Sequence, residues 1–118
     1  MSLSYLVATD MSARSDRALR RAVQLADATG AMLSVLHVVD DATPDTIAVE
    51  LKAACEGDLR RMLEAAPEAV RTTVKVVIGD PTATVIDLVR EMGPDLLIMG
   101  THRERRFLDS IRETTAQR

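Results

Sequence analysis

Residues 74–99, VKVVIGDPTATVIDLVREMGPDLLIM, decide the fold. The stretch opens on Val74-Lys-Val-Val-Ile78, an apolar run rich in β-branched residues and too short for a helix, which reads as a strand. Gly79-Asp80-Pro81 breaks it and starts a helix. Val85, Ile86, Val89 and Met92 give that helix its apolar stripe, and Gly93-Pro94 ends it. A second apolar run, Leu96-Leu-Ile-Met99, follows at once. Parallel strands need a crossover between them, and a helix of this length is the usual one.

The same alternation extends toward the N-terminus. Tyr5-Leu-Val-Ala-Thr9 and Met32-Leu-Ser-Val-Leu-His-Val-Val39 are two further strand-like runs. None of the four alternates apolar with polar residues cleanly, so they read as strands buried on both faces. Between the first two, Ala18, Leu19, Ala22, Val23 and Ala26 form one helical stripe, with Arg17, Arg20, Arg21 and Asp27 off it. Ser12 or Ser15 suits its N-cap, and Gly30 its end. A second helix is expected after Thr43-Pro44-Asp45, with Thr43 capping and Pro44 at the first helical position. Leu51, Ala54, Cys55, Met62 and Leu63 make up its expected buried face, and Pro67 its stop; Gly57 weakens its continuity. A fourth helix is expected within residues 107–117, on Phe107, Leu108 and Ile111. Right-handed crossovers between such strands place helices on both faces of the sheet. The expectation is a doubly wound, parallel α/β fold, a single domain over residues 1–118.

Composition narrows the function. The chain has 118 residues, 15 basic and 18 acidic, for a formal charge of −3. That balance argues against broad electrostatic binding to nucleic acid or to an anionic membrane. Tyr5 and Phe107 are the only aromatic residues, too few for a base-stacking platform. No apolar run approaches the roughly 20 residues of a membrane helix, and Asp10 comes too early for a signal peptide. A cytoplasmic location is expected. With one cysteine and two histidines, neither an internal disulfide nor a structural zinc site has support.

Ligands of doubly wound sheets bind beyond the carboxyl ends of the strands, where the strand order reverses. The residues there are Thr9 and Asp10, then Asp40 and Asp41, then Gly79 and Asp80, and last Gly100, Thr101 and His102. Asp10, Asp40 and Asp80 together would suit a divalent cation, although an Asp after a strand more often caps a helix or forms a turn. A phosphorelay receiver would want a lysine after a late strand, and the only lysines are Lys52 and Lys75. The G-x-x-x-x-G-K-[ST], G-x-G-x-x-G and G-x-S-x-G patterns are all absent. His37, inside a strand, reads as a packed or edge histidine, and Cys55 as a small core residue. No residue has the partners of a catalytic group.

Three segments together resemble the universal stress protein family. They are Leu6-Val-Ala-Thr-Asp10 with Ser12 and Ser15, Leu36-His-Val-Val-Asp40, and Gly79-Asp-Pro81 followed by Pro94-Asp-Leu-Leu-Ile-Met-Gly-Thr-His102. The resemblance implies a flavodoxin-like, adenine nucleotide alpha hydrolase-like sheet of order 3-2-1-4-5, homodimers, and a role in stress survival. Four strands, in order 3-2-1-4, are expected here: no run for the family's fifth precedes Arg118, so either the sequence stops short of that strand or the sheet has four strands with the fourth at an edge. An apolar edge at Leu96 to Met99 would then invite pairing with another chain.

Nucleotide-binding members of that family set adenine and ribose against the first two strand ends. The matching positions are Thr9, Asp10 and the backbone of Val38. Their phosphates rest on a loop G-x2-G-x9-G-[ST], whose glycines let backbone amides approach the anion. Gly100, Thr101 and His102 fit that pattern; Arg103 replaces its second glycine and Glu113 its third, with Thr114 and Thr115 after it. Glu113 sets a like charge near the phosphates, costing about 1–3 kcal/mol at ~5 Å with an effective dielectric of roughly 20–80. Arg103, Arg105 and Arg106 offer guanidinium groups in exchange, or pair with Glu104 and Asp109 on a solvated helix. The leading expectation is a non-catalytic stress-response module with a degenerate nucleotide site, acting through dimerisation or partner binding. The alternative is an ATP- or AMP-binding stress protein or slow ATPase that uses those arginines.

Overall fold

In the computed structural model, residues 3–100 are described. Their elements, in chain order, are β1 (Ser4–Ala8), α1 (Ala13–Thr29), β2 (Met32–Asp40), α2 (Asp45–Glu64), β3 (Thr72–Gly79), α3 (Pro81–Met92) and β4 (Leu96–Met99). The strands form one sheet in the order β3-β2-β1-β4, every pair parallel. Tyr5 lies beside Leu33 on one side and Leu96 on the other, and Leu33 beside Thr72. The alternating α/β reading and the strand order inferred from the family resemblance both hold. The fourth helix expected within residues 107–117 lies outside the described residues.

Side chains of odd and even positions separate two cores, as the pleat requires. On one face Tyr5, Val7, Leu33, Val35 and Val76 pack against Leu19, Ala22 and Ala26 of α1 and Ala48 and Leu59 of α2. On the other, Leu6, Ala8 and Leu36 pack against Val85 and Leu88 of α3. Helices therefore cover both faces of β1 and β2, which explains why those two read as largely apolar runs. The edge strands differ from the expectation of burial on both faces: in β3 only Val76 is buried, and in β4 no residue is.

The caps follow local chemistry. Ser12 is the N-cap of α1, its hydroxyl accepting from the Ser15 amide, and Gly30 closes the helix in the left-handed conformation at φ 74°. Asp80 caps α3 by accepting from the Ala83 amide at 2.8 Å, with Pro81 in the first turn. The start of α2 differs from expectation. Pro44, with extended ψ of 140°, is itself the N-cap, so Thr43 lies one residue too early to cap and the helix starts without a side-chain cap. Gly57 does not interrupt it, and α2 ends at Glu64, before Pro67.

The expected buried face of α2 is met in part: Cys55, Met62 and Leu63 pack against the core as expected, and Leu51 and Ala54 do not. Ala48 and Leu59 are its buried residues; Leu51 and Ala54 are exposed, and Cys55, Met62 and Leu63 are half-buried. In α3 the expected stripe largely holds: Val85 is buried and Ile86 and Val89 pack half-buried against the same core, while Leu88 joins the buried residues and Met92 is exposed. Both helices have apolar side chains on more than one side, so spacing alone could not select every residue that meets the sheet.

Candidate functional site

The crevice of this sheet lies at the carboxyl ends of β1 and β4. From β1 the chain turns toward β2 and β3 on one side, and it returns through α3 to place β4 on the other. Thr9, just past β1, is only 7% exposed, and Asp10 after it is exposed at the rim. Met11 then takes φ 66°, a left-handed conformation that few residues with a side chain adopt. Such a residue costs about 1–3 kcal/mol and persists where its surroundings hold it.

Here the holding is visible. The Met11 amide donates to Thr9 Oγ1 at 3.0 Å, and the Ser12 amide donates to Asp10 Oδ1 at 2.9 Å. Ser15, fully buried one turn into α1, donates its hydroxyl to Asp10 Oδ1 at 2.5 Å and accepts from the Asp10 amide at 3.1 Å. Asp10 is thus fixed through side chain and backbone alike. The sequence offered Ser12 and Ser15 as rival caps; Ser12 caps, and Ser15 anchors Asp10.

The other wall comes from β2. The Thr9 amide donates to the Leu36 carbonyl at 2.9 Å, which is the last rung between β1 and β2. In a parallel ladder alternate residues point their amide and carbonyl to opposite sides. The Leu33 amide bonds toward β3, at the Arg71 carbonyl, and the Leu36 carbonyl toward β1, so Val38 points both its backbone groups to the β1 side. The next rung would join the Val38 amide to the Thr9 carbonyl. That carbonyl instead accepts from His37 Nδ1 at 2.7 Å, and among the described residues no backbone hydrogen bond joins Val38 to β1 or to the turn after it. The sheet opens beside Asp10, leaving a backbone donor and a backbone acceptor of Val38 on the crevice.

Gly100 closes the far side. A Cβ there would stand 2.8 Å from the Arg14 carbonyl, from Ser15 Cα and from Ala18 Cβ, so only glycine lets the end of β4 sit against the first turn of α1. Thr9, Asp10, Val38 and Gly100 are therefore all at the crevice rim. Thr101, His102, Arg103, Thr114 and Thr115 lie outside the described residues, as does Glu113.

The three aspartates weighed as cation ligands have other partners. Asp40 Oδ1 accepts from the Ala42 amide at 2.9 Å, Asp80 caps α3, and Asp10 is bound into its turn. Among the described residues no group of three or more His, Cys, Asp or Glu side chains could hold a metal ion. Beside the crevice, a groove of about 550 Å³ runs between α1 and β4, lined by Arg14, Arg17, Arg20 and Arg21 with Ile98 and Met99. His37 belongs to an interior strand and is half-buried, so it is not an edge histidine. Sequence reasoning left it without a role. A polar ring among Val35, Val39 and Val76 was the available signal, because buried polar atoms find partners.

The universal stress protein family model matches residues 3–118. The chain belongs to that family. It is similar to universal stress protein A homolog 1 of Coxiella burnetii, with 30% identity over 108 residues, 82% of this chain and 74% of that protein. Among solved structures it is similar to universal stress protein UspA from Lactobacillus plantarum, at 27% identity and a TM-score of 0.70, covering 85% of this chain and 79% of that one. A universal stress protein in complex with cAMP is similar at 25% identity and a TM-score of 0.66, with 98% and 90% covered. As a universal stress protein the chain has the family's α/β core, and no described helix is long and apolar enough to cross a membrane.

Proposed function

We propose that this universal stress protein is a non-catalytic stress-response module that recognises an adenine nucleotide chiefly by its adenosine end and acts through dimerisation or partner binding. The observation that carries the reading is the opened β1–β2 ladder. Val38 presents an amide and a carbonyl to the crevice, and the complementary donor–acceptor edge of a purine suits such a pair. Asp10, held by Ser12 and Ser15, offers a carboxylate for ribose hydroxyls. The similarity to a universal stress protein in complex with cAMP, a nucleotide with a single phosphate, supports the class of ligand.

The phosphate side points to few phosphates. Arg103 and Glu113 occupy positions where the family loop has glycines, which sets side chains where an anion would approach the backbone and, at Glu113, adds a negative charge. Isothermal titration calorimetry with AMP, cAMP and ATP with magnesium tests the reading. AMP or cAMP is expected to saturate one site per chain, with ATP binding no tighter and Asp10→Ala weakening AMP about tenfold. Saturable binding by none of the three would overturn the nucleotide part. ATP binding that far exceeds AMP, and that Arg103→Ala abolishes, would favour the slow-ATPase alternative. For the dimer, light scattering on the full chain is expected to give twice 12.9 kDa, and a monomer at high concentration would remove that element.

A further inference from the structure

We infer that His37 is a positioning residue for the adenosine end of the ligand: it holds the Thr9 carbonyl in place of a sheet rung and so keeps the Val38 backbone open to the crevice. The inference rests on the proposed nucleotide reading for its ligand, but its structural half stands on the unliganded protein. Thr9 is a buried residue, and a carbonyl in such a place is met by a donor. Two are within reach of the strand pattern: the Val38 amide, which would extend the ladder by one residue, and the His37 ring. The ring takes the bond at 2.7 Å. Because the partner is a carbonyl, which only accepts, Nδ1 is the ring nitrogen that carries the hydrogen in this contact.

The consequence is a choice between two states of one rung. With His37 as donor, β1 and β2 part after Leu36, and the Thr9–Asp10 peptide turns toward α1, where Ser15 and Ser12 fix Asp10. Without that donor the carbonyl recovers its hydrogen bond by closing onto Val38. The crevice then loses the Val38 amide as a donor. Leu36 and Val39, which flank His37 and Val38, are buried and keep β2 in register whichever state holds.

The test uses the full chain with His37→Leu and His37→Gln. Leucine fills the same space and donates nothing; glutamine keeps an amide donor. Amide hydrogen exchange followed by NMR in the absence of nucleotide is expected to show Val38 exchanging fast in the wild type and in H37Q. In H37L the Val38 amide is expected to slow by tenfold or more as the rung closes. Calorimetry with AMP is expected to show affinity falling about tenfold in H37L and recovering most of the loss in H37Q. Unchanged Val38 exchange in H37L, in a protein with the wild-type circular dichroism spectrum, would overturn the inference. Equal loss of affinity in both variants would also overturn it, by showing that ring shape and not the donor matters. If the wild type binds no AMP, the nucleotide reading fails alone, and the exchange comparison still decides the role of His37. If H37L does not fold, the comparison of wild type with H37Q decides it: slowed Val38 exchange in H37Q would overturn the inference, and fast exchange would support it.

Discussion

Gly100 and Gly57 make a matched pair at the scale of single residues. A methyl group at Gly100 has no room beside the Arg14 carbonyl and Ser15 Cα, both backbone, so Gly100→Ala must push β4 away from α1. The expected loss is about 1–3 kcal/mol in urea unfolding. Gly57 lies inside α2, where an added Cβ would meet nothing within 4 Å, so Gly57→Ala should gain about 1 kcal/mol. Equal effects in the two unfolding curves would contradict the close approach of β4 to α1. Cys55, half-buried on the same helix, has its thiol pushed above the ordinary value by desolvation and then by the Asp58 carboxylate. The folded chain holds that proton more tightly than the unfolded one, so its contribution is intact below the ordinary thiol range and declines as pH rises above about 8.5. Unfolding midpoints between neutral pH and roughly pH 10 should fall less steeply in Cys55→Ser than in the wild type. Iodoacetamide should label the native thiol slowly at neutral pH and rapidly in urea.

At the scale of elements, α2 supplies the sharpest contrast. Leu59 is 0% exposed and Leu51 is 43% exposed, although both are leucines on one helix. Leu59→Ala should cost about 2–5 kcal/mol and Leu51→Ala roughly 0.5 or less, measured as a difference in urea midpoint. The reverse order would place the other face of α2 on the sheet. The sequence told much less about α2 than about the strands, and the reason is physical. A strand covered on both faces must be apolar throughout, so Leu33 to Val39 and Tyr5 to Thr9 stood out without any knowledge of their neighbours. An exposed helix face need not be polar, and with Ile47, Val49 and Leu51 all on the outside of α2 the apolar stripe has no unique reading. Caps were legible for a different reason: Ser12, Gly30 and Asp80 satisfy backbone groups within a turn of themselves. The site was half legible. Asp10 and Gly100 announce themselves by residue type, whereas the opening at Val38 depends on where two strands part, and the anchoring by Ser15 and His37 on contacts across 5 and 28 residues of chain.

The whole molecule joins these through the sheet. Strands β1 and β2 are interior, with Val7 and Val35 fully buried, while β3 and β4 are its edges among the described residues and β4 is only four residues long. Amides at the centre of β1 and β2 therefore exchange only when the whole domain opens, and those of β4 also through local fraying. The proposed ligand contacts Asp10, which follows β1, and Val38, which lies in β2, so both belong to the interior strands' end of the sheet. A ligand that binds only the folded chain adds RT ln(1 + [L]/Kd) to the global opening energy, about 2.7 kcal/mol at a hundred times Kd. Adding AMP at that excess should slow exchange at Val7 and Val35 by roughly a hundredfold, because about 1.4 kcal/mol is a factor of ten. Amides of β4 that exchange by local opening should slow far less, since fraying of that edge leaves Asp10 and Val38 in place. Slowing spread evenly over β4 and the interior strands would mean that the nucleotide also clamps the end of β4 at Gly100, and core amides indifferent to AMP would mean that the folded chain does not bind it.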